Sequence, residues 1–410
     1  MSDGVPAETG KQARRSSRTG VLVRRWWIIA AIMVAAINLR PPVTSVGALL
    51  TELRRALDLP GIAVGALTTL PVVCLGVFAF LTPRLRGRLG DEGIILLALP
   101  LLLAGSLVRV GPVAATLFAG TVLVGAGIAL ANVVLPALVK REFPAHVPGV
   151  TAVYTTTLVL GASLGSGVAV PLEHALPGGW RAPLLVLAAP ILVAFVVWFA
   201  VRRRLAGTAA AASGDDAAVA LWRSPLAWQV TVFMGTQSLL AYVTFGWLPT
   251  VAASHGLSAA AAGLVLSVSA LVQAAGSLAL PLLVRTMRDQ RLLTALVAVT
   301  TAAGFAGIIA APTGQVWFWA VVLGLGQGAG FALALTLIGL RSGDAATASR
   351  LSSMAQGVGY LIAAIGPLLV GVVHGATGGW ISVLAGLLAI GVVQAVAGLG
   401  AGRNLHITGE

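Results

Sequence analysis

A chain of 410 residues that is 58% hydrophobic and only 10% charged falls well short of the roughly 25% charged residues of a soluble domain. So little polar surface cannot enclose so apolar an interior unless lipid is the solvent. The balance is basic, 26 Lys and Arg against 13 Asp and Glu; in a membrane protein that excess reads as loop cations that set orientation, and no nucleic acid is expected as a partner.

Residues 1–25 are polar and basic, with Gly, Ser and Pro, and are expected to form a disordered tail. About twenty apolar residues cross a hydrocarbon core. The runs that qualify are 26–50, 61–81, 93–110, 113–139, 149–172, 181–201, 225–250, 259–284, 292–311, 316–340, 351–373 and 380–402. The first is too long, and too interrupted by Arg40, to be a cleaved signal peptide. The expectation is an all-α membrane protein of about twelve spans: a six-helix bundle over 26–201, a linker over 202–224, a second bundle over 225–402 and a short tail over 403–410. The single cysteine, Cys74, lies inside an apolar run and excludes an intramolecular disulfide.

Orientation follows from the cations. Lys11, Arg14, Arg15, Arg18, Arg24 and Arg25 share one side with Arg84, Arg86, Arg88, Lys140, Arg141, Arg202, Arg203, Arg204 and Arg223. Arg285, Arg288, Arg291, Arg341, Arg350 and Arg403 join them, whereas the other side holds Arg54, Arg55, Arg109 and Arg181. The asymmetry places both termini in the cytoplasm, with the chain multi-pass in the cell membrane. Trp26, Trp27, Trp180 and Trp380 fall at span ends, where interfacial anchors belong. The halves also repeat. Gly178-Gly179-Trp180 recurs as Gly378-Gly379-Trp380, His174 as His374 and Arg141 as Arg341; at a slightly shorter offset Pro83 matches Pro281 and Asp91 matches Asp289. A duplicated six-helix unit is a common transporter plan, giving two pseudo-symmetric bundles.

At hydrocarbon depth the sequence offers one charged residue, Arg40, inside Asn38-Leu39-Arg40-Pro41-Pro42-Val43-Thr44-Ser45. A mid-membrane arginine costs about 2.5–3.5 kcal/mol on insertion scales, and no Asp or Glu lies at matching depth. The simplest mate is an anion that enters and leaves a wet cavity. Pro41 and Pro42 prevent a smooth helix and can open a second half-helix whose positive end lies beside the guanidinium. The plainer alternatives are a packing kink and an arginine bonded to neighbouring carbonyls. Other mid-span polar residues are Asn132, Tyr154 and Gln327; Gln237 and Thr244 share a face of span seven, with Tyr242 and Trp247 close by, and Ser352, Gln356 and Tyr360 share one helix face. Such residues either line a cavity or join helices. Paired cysteines, a zinc-binding His pair on one helix and a nucleophile elbow are absent, and His146, His174, His255, His374 and His406 fall at or beyond span ends. No enzyme activity, metal or cofactor is expected.

The string from Ile37 to Gly47, and the run from Gly127 to Arg141 (GIALANVVLPALVKR) followed by Phe143-Pro144, resemble the major facilitator superfamily and, within it, the cyanate porter family of cyanate and 2-nitroimidazole transporters. The specific motifs cover spans one and four; the architecture covers 26–402. The resemblance implies two bundles around a cavity that opens to each side in turn, lined by spans one, four, seven and ten with two, five, eight and eleven beside them. It points to Arg40 as the holder of the negative group. Asn38, Asn132, Gln237, Gln327, Gln356 and Tyr360 would supply hydrogen bonds, and Trp247 would shape the cavity. The expected activity is secondary active transport of a small anionic solute, with the lipid bilayer as the other partner. Efflux of a neutral or weakly polar drug such as a nitroimidazole is the alternative. A non-transporting receptor is disfavoured by the lack of a sizeable soluble domain. Proton coupling through Glu52, Glu173 or His374 stays open beside uniport and exchange. The stretch Pro83 to Glu92 departs from the superfamily's pattern of Gly, Asp and basic residues, which puts the usual charge latch there in question.

Overall fold

The computed structural model describes residues 26–205, 221–310 and 312–407; the expected tail 1–25, most of the linker and residues 408–410 lie outside the described residues. The first half holds α1 (26–37), α2 (Pro41–Ala48), α3 (Leu50–Ala56), α4 (Gly61–Ala79), α5 (Thr82–Val108), α6 (Ala114–Glu142), α7 (Val147–Ala175), α8 (Arg181–Val186) and α9 (Ala189–Leu205). The second holds α10 (Pro225–Ser254), α11 (Ala259–Thr286), α12 (Arg291–Ala310), α13 (Val316–Leu340), α14 (Ala345–Thr377) and α15 (Trp380–Ala401).

Among the described residues ten stretches are long and apolar enough to cross a membrane, α1 with α2 and α8 with α9 each counting as one. Two more helices complete the set. In α4 the apolar part recognised is Thr69–Ala79. At 30 residues α10 is long enough, but Gln229, Thr231, Thr236, Gln237, Ser238 and Thr244 dilute its hydropathy. Such a helix belongs inside the bundle, and most of these polar residues are buried. Polarity is inverted relative to a soluble protein. Leu282, Val372 and Ile381 are about two-thirds exposed on the outside, whereas Gln237, Gln394 and Thr301 are fully buried. Lipid covers the former; interhelical hydrogen bonds satisfy many of the latter.

Within the first half α6 packs on α4 and α5, and α7 on α2; within the second α13 packs on α11 and α12, and α10 on α14 and α15. The halves meet where α4 touches α14 and where α7 touches α11. Those two seams exchange under the internal repeat, as a pseudo-two-fold requires.

The repeat has a structural reason at its glycines. Gly378 ends α14 at φ +66°, and Gly178 and Gly179 have φ +111° and +57°; glycine takes this left-handed region without strain. Trp180 is not an interfacial anchor: it is 3% exposed and packs with Val46, Leu49 and Leu184, while the Arg181 guanidinium lies over its ring. Trp26 and Trp27, in contrast, are exposed.

The expected loop over 83–92 is helical apart from Gly90, which breaks α5 at φ +70°. It carries a charge network in altered form. Asp91, buried, accepts from Arg86 Nε at 2.5 Å and from Arg141 Nη1 at 2.9 Å; Arg141 also pairs with Glu92 and Glu142. In the second half the matching Arg341 donates to Gln290 and to the Ala401 and Gly402 carbonyls. The same scaffold is thus held by charge in one half and by neutral acceptors in the other.

The break in span one falls at 38–40, and Pro41 and Pro42 open α2. Asn38 Nδ2 donates to the Val34 carbonyl at 2.8 Å, satisfying an acceptor that the interrupted helix leaves open, and Trp198 Nε1 ties α9 to α1 through the Ala31 carbonyl at 2.9 Å. From α7, Gly161 lies on the Ile37 carbonyl and Gly165 on Pro41, and Thr44 donates to the Ala162 carbonyl at 2.9 Å. A Cβ at Gly161 would overlap backbone, whereas Gly167 has open space. Gly161→Val is therefore expected to lower stability by about 1–3 kcal/mol, read as a fall in melting temperature in detergent. Gly167→Ala is expected to leave it unchanged or slightly raised.

Candidate functional site

Arg40 caps α2 at the break and is only half-buried although protein surrounds it. Its guanidinium crosses to the second half. It lies 5.6 Å from the centre of the Phe331 ring on α13 and faces the phenols of Tyr242 on α10 and Tyr360 on α14. Tyr242 and Tyr360 pack edge to face, ring centres 6.4 Å apart. Tyr154 of α7 lies within electrostatic reach of Tyr360. Of the chain's 3 tyrosines, two face this arginine and the third lies within reach of one of them. Among the described residues no carboxylate pairs with Arg40; the ion pairs lie elsewhere.

Several donors here are idle. The Tyr154 hydroxyl and Asn132 Nδ2 make no hydrogen bond within the protein, and the Tyr360 hydroxyl, which like that of Tyr154 belongs to a residue 2% exposed, meets only the Arg40 guanidinium. Leaving such groups unpaired is costly, so they call for a partner that the protein itself does not supply. Asn132 is joined to the group through its backbone: Gln356 Nε2 donates to the Asn132 carbonyl at 2.9 Å and to Ser352 Oγ at 2.8 Å. Gln356 and Tyr360 share a face of α14, one turn apart. The α4–α14 seam is also bonded, Ser353 Oγ donating to the Ala79 carbonyl at 2.5 Å.

The structure thus brings Arg40, Asn132, Gln356 and Tyr360 together. It places Gln237 and Gln327 in a different network inside the second bundle. Gln237 Nε2 donates to the Gln327 carbonyl at 3.0 Å and its Oε1 accepts from Gln394 at 2.6 Å, while Gln327 Nε2 donates to Thr244 Oγ1 at 2.7 Å and to the Leu240 carbonyl at 3.2 Å. These bonds sew α10 to α13 and α15. Asn38 serves the end of α1, as described. Trp247 donates to the Pro367 carbonyl at 3.0 Å and meets Trp380 and His374 edge to face.

Sequence reasoning missed three participants. Phe331 looks like any apolar span residue. Tyr242 stood only as a neighbour of the Gln237 face. Arg109 reads as an orienting cation at the outer end of span three, yet it is 1% exposed and donates to the Pro42 carbonyl and, at 3.1 Å, to Thr121 Oγ1. Arg40 is therefore not the only cation enclosed by the helices. The scarcity of tyrosine is the signal that could have flagged Tyr242.

Residues 26–367 match the sequence model of the Major Facilitator Superfamily. The chain is 41% identical to the 2-nitroimidazole transporter of Escherichia coli (strain K12), covering 93% of this chain and 96% of the relative. It is 31% identical to the cyanate transport protein CynX of the same organism, covering 86% and 91%. In fold it is similar to the proton:xylose symporter XylE, with a TM-score of 0.76 over 92% of this chain and 95% of that one, at 12% identity.

Gln327→Leu removes the donor to Thr244 and Leu240. A loss of about 1–3 kcal/mol is expected, seen as a lower melting temperature in detergent.

Proposed function

The chain belongs to the Major Facilitator Superfamily and is a multi-pass membrane transporter, and from that membership we infer that its cargo is a small planar anion held by Arg40 between the two bundles. The observation that carries this reading is an enclosed guanidinium with no acidic mate, facing aromatic rings and idle donors. A cation beside O–H and N–H donors is complementary to a group rich in acceptor oxygens, and most of all to a negatively charged one. The guanidinium fork suits coplanar oxygens, and the faces of Phe331 and the tyrosines suit a flat group. The relatives' cargoes fit this description in part: cyanate is a small anion, and a nitroimidazole presents two coplanar oxygens on an aromatic ring.

In this reading Arg40 supplies the charge, and Tyr154, Tyr360 and Asn132 donate hydrogen bonds. Gln356 positions Asn132. Gln237 and Gln327 stiffen the second bundle without touching cargo. The arginine-rich side faces the cytoplasm, the orientation that loop cations favour. The bond between Ser353 and Ala79 and the packing of Gly339 against Val147 lie toward that side, which supports a state sealed to the cytoplasm. Rocking of the halves about the central site would break these ties and expose the cargo inward.

A second reading, transport of a neutral nitroaromatic, is favoured by the relative at 41% identity. The two separate by competition: excess cyanate or benzoate suppresses flux if the anion reading holds and leaves nitroimidazole flux unchanged if it does not.

Purified protein in liposomes is expected to move labelled cyanate or a small aromatic carboxylate saturably. Arg40→Ala should reduce flux about 10- to 100-fold and Tyr360→Phe should weaken apparent affinity up to about tenfold, the range for losing charged and neutral hydrogen bonds. Transport by Arg40→Ala at the parent rate would remove Arg40 from the site.

A further inference from the structure

The titratable groups that could carry a coupling proton stand away from Arg40. Glu52 pairs with Arg55 at 3.9 Å, both well exposed, and His374 stacks on Trp380 with ring centres 4.0 Å apart. Glu173 lies in the last turn of α7. Asp91, Glu92 and Glu142 are taken up by Arg86 and Arg141, Asp289 lies beside Arg291, and Asp344 caps α14. Among the described residues the groups that act on the Arg40 charge are the phenols of Tyr242 and Tyr360, with no carboxylate beside them.

A carrier of two rocking bundles passes through a state closed on both sides. One side is already shut. Ser353 Oγ donates to the Ala79 carbonyl at 2.5 Å, and Phe80, the next residue, lies on Gly357 so closely that a Cβ there would be 2.8 Å from its ring. Arg40 is only half-buried, which leaves room for water beside it in this state. With the seam shut at both ends, an empty site would hold a full positive charge against two neutral phenols, which accept hydrogen bonds but bring no counter-charge. Such a charge is strongly disfavoured, and the idle Tyr154 and Asn132 donors add to the cost. A bound anion removes both penalties. Arg109 sets no comparable barrier: its partners Thr121 and Pro42 belong to its own bundle and move with it.

We propose that this protein is an obligatory anion exchanger: the empty carrier does not turn, so each anion that enters is matched by one that leaves. The proposal rests on the reading of Arg40 as the holder of the cargo. Exchange of two monovalent anions moves no net charge, so the membrane potential does not drive it and the two anion gradients set its direction. The returning anion neutralises Arg40 on the way back, which makes a mid-depth carboxylate unnecessary.

The test uses purified full-length protein in liposomes. Labelled cyanate is added outside, with cyanate or osmotically matched sucrose inside, and uptake into protein-free vesicles is subtracted. Uptake is expected to be at least about tenfold faster against internal cyanate, and unchanged by a potassium diffusion potential of either sign. Equal uptake into sucrose-filled vesicles, or uptake driven by the potential, would overturn exchange while leaving Arg40 as the cargo site. No uptake into either kind of vesicle would defeat the cargo reading itself. The role of the charge is tested by single-molecule energy transfer in a Cys74→Ala background. Dyes are attached at Pro112→Cys and Gly314→Cys, exposed positions in the α5–α6 and α12–α13 connections. Cyanate is expected to raise the switching rate about tenfold in this background, and Arg40→Gln should reach that rate without cyanate. An empty Arg40→Gln carrier as slow as the empty background protein would show that the charge is not the barrier and overturn the proposal. Should the labelled variants fail to fold, the uptake ratio of the parent still decides.

Discussion

One positive charge set at a helix break organises this molecule. Arg40 belongs to the first half by sequence, but its guanidinium faces Phe331, Tyr242 and Tyr360 of the second. A charge at that depth is tolerated only where the surroundings answer it, so the seam between the halves must be polar and cannot close into dry packing. The local elements serve this constraint. Pro41 and Pro42 stop α1, Asn38 satisfies a carbonyl freed there, and the glycines of α7 bring its backbone onto the break.

The two halves share a scaffold but divide the chemistry. Arg141 and Arg341 occupy matching positions and both reach across to the start of the third helix of their bundle, yet one meets acids and the other Gln290 and backbone carbonyls. The central site is also unequal: the first half brings the cation, Asn132 and Tyr154, the second the aromatic wall and Gln356. Duplication supplies the geometry of a carrier, and divergence of the copies supplies a site with polarity. The glutamine network of Gln237, Gln327 and Gln394 has its own place in this division, since a bundle that must move as a body needs internal bonds that lipid cannot compete for.

Spans were legible in the sequence because lipid imposes a minimum apolar length, and the break was legible because two prolines in succession leave the backbone little choice. Arg40 stood out as the charge inside an apolar run. What stayed hidden depends on direction rather than identity. Gln237 and Gln356 are the same residue type at similar depth. Only packing shows that one bonds within its bundle and the other reaches across to α6. Arg109 lies at the end of an apolar run, where solvent and protein are equally available; its burial is decided by the Pro42 carbonyl, distant in sequence. Trp180 similarly sits where an interfacial ring belongs and is drawn inward by its neighbours on α2, α3 and α8. The acidic pair Asp91 and Glu92 looked misplaced against the family pattern, yet Arg86 and Arg141 converge on Asp91, and Arg141 also meets Glu92.

The most direct measurement is equilibrium binding by titration calorimetry of a small planar anion, cyanate or benzoate, to the purified protein and to Arg40→Gln, with melting temperature followed in parallel. The account predicts binding that is weakened at least tenfold in the variant while the fold melts at a similar temperature. Equal affinity in the two proteins would show that the enclosed guanidinium holds the helices together and leaves the cargo to other groups.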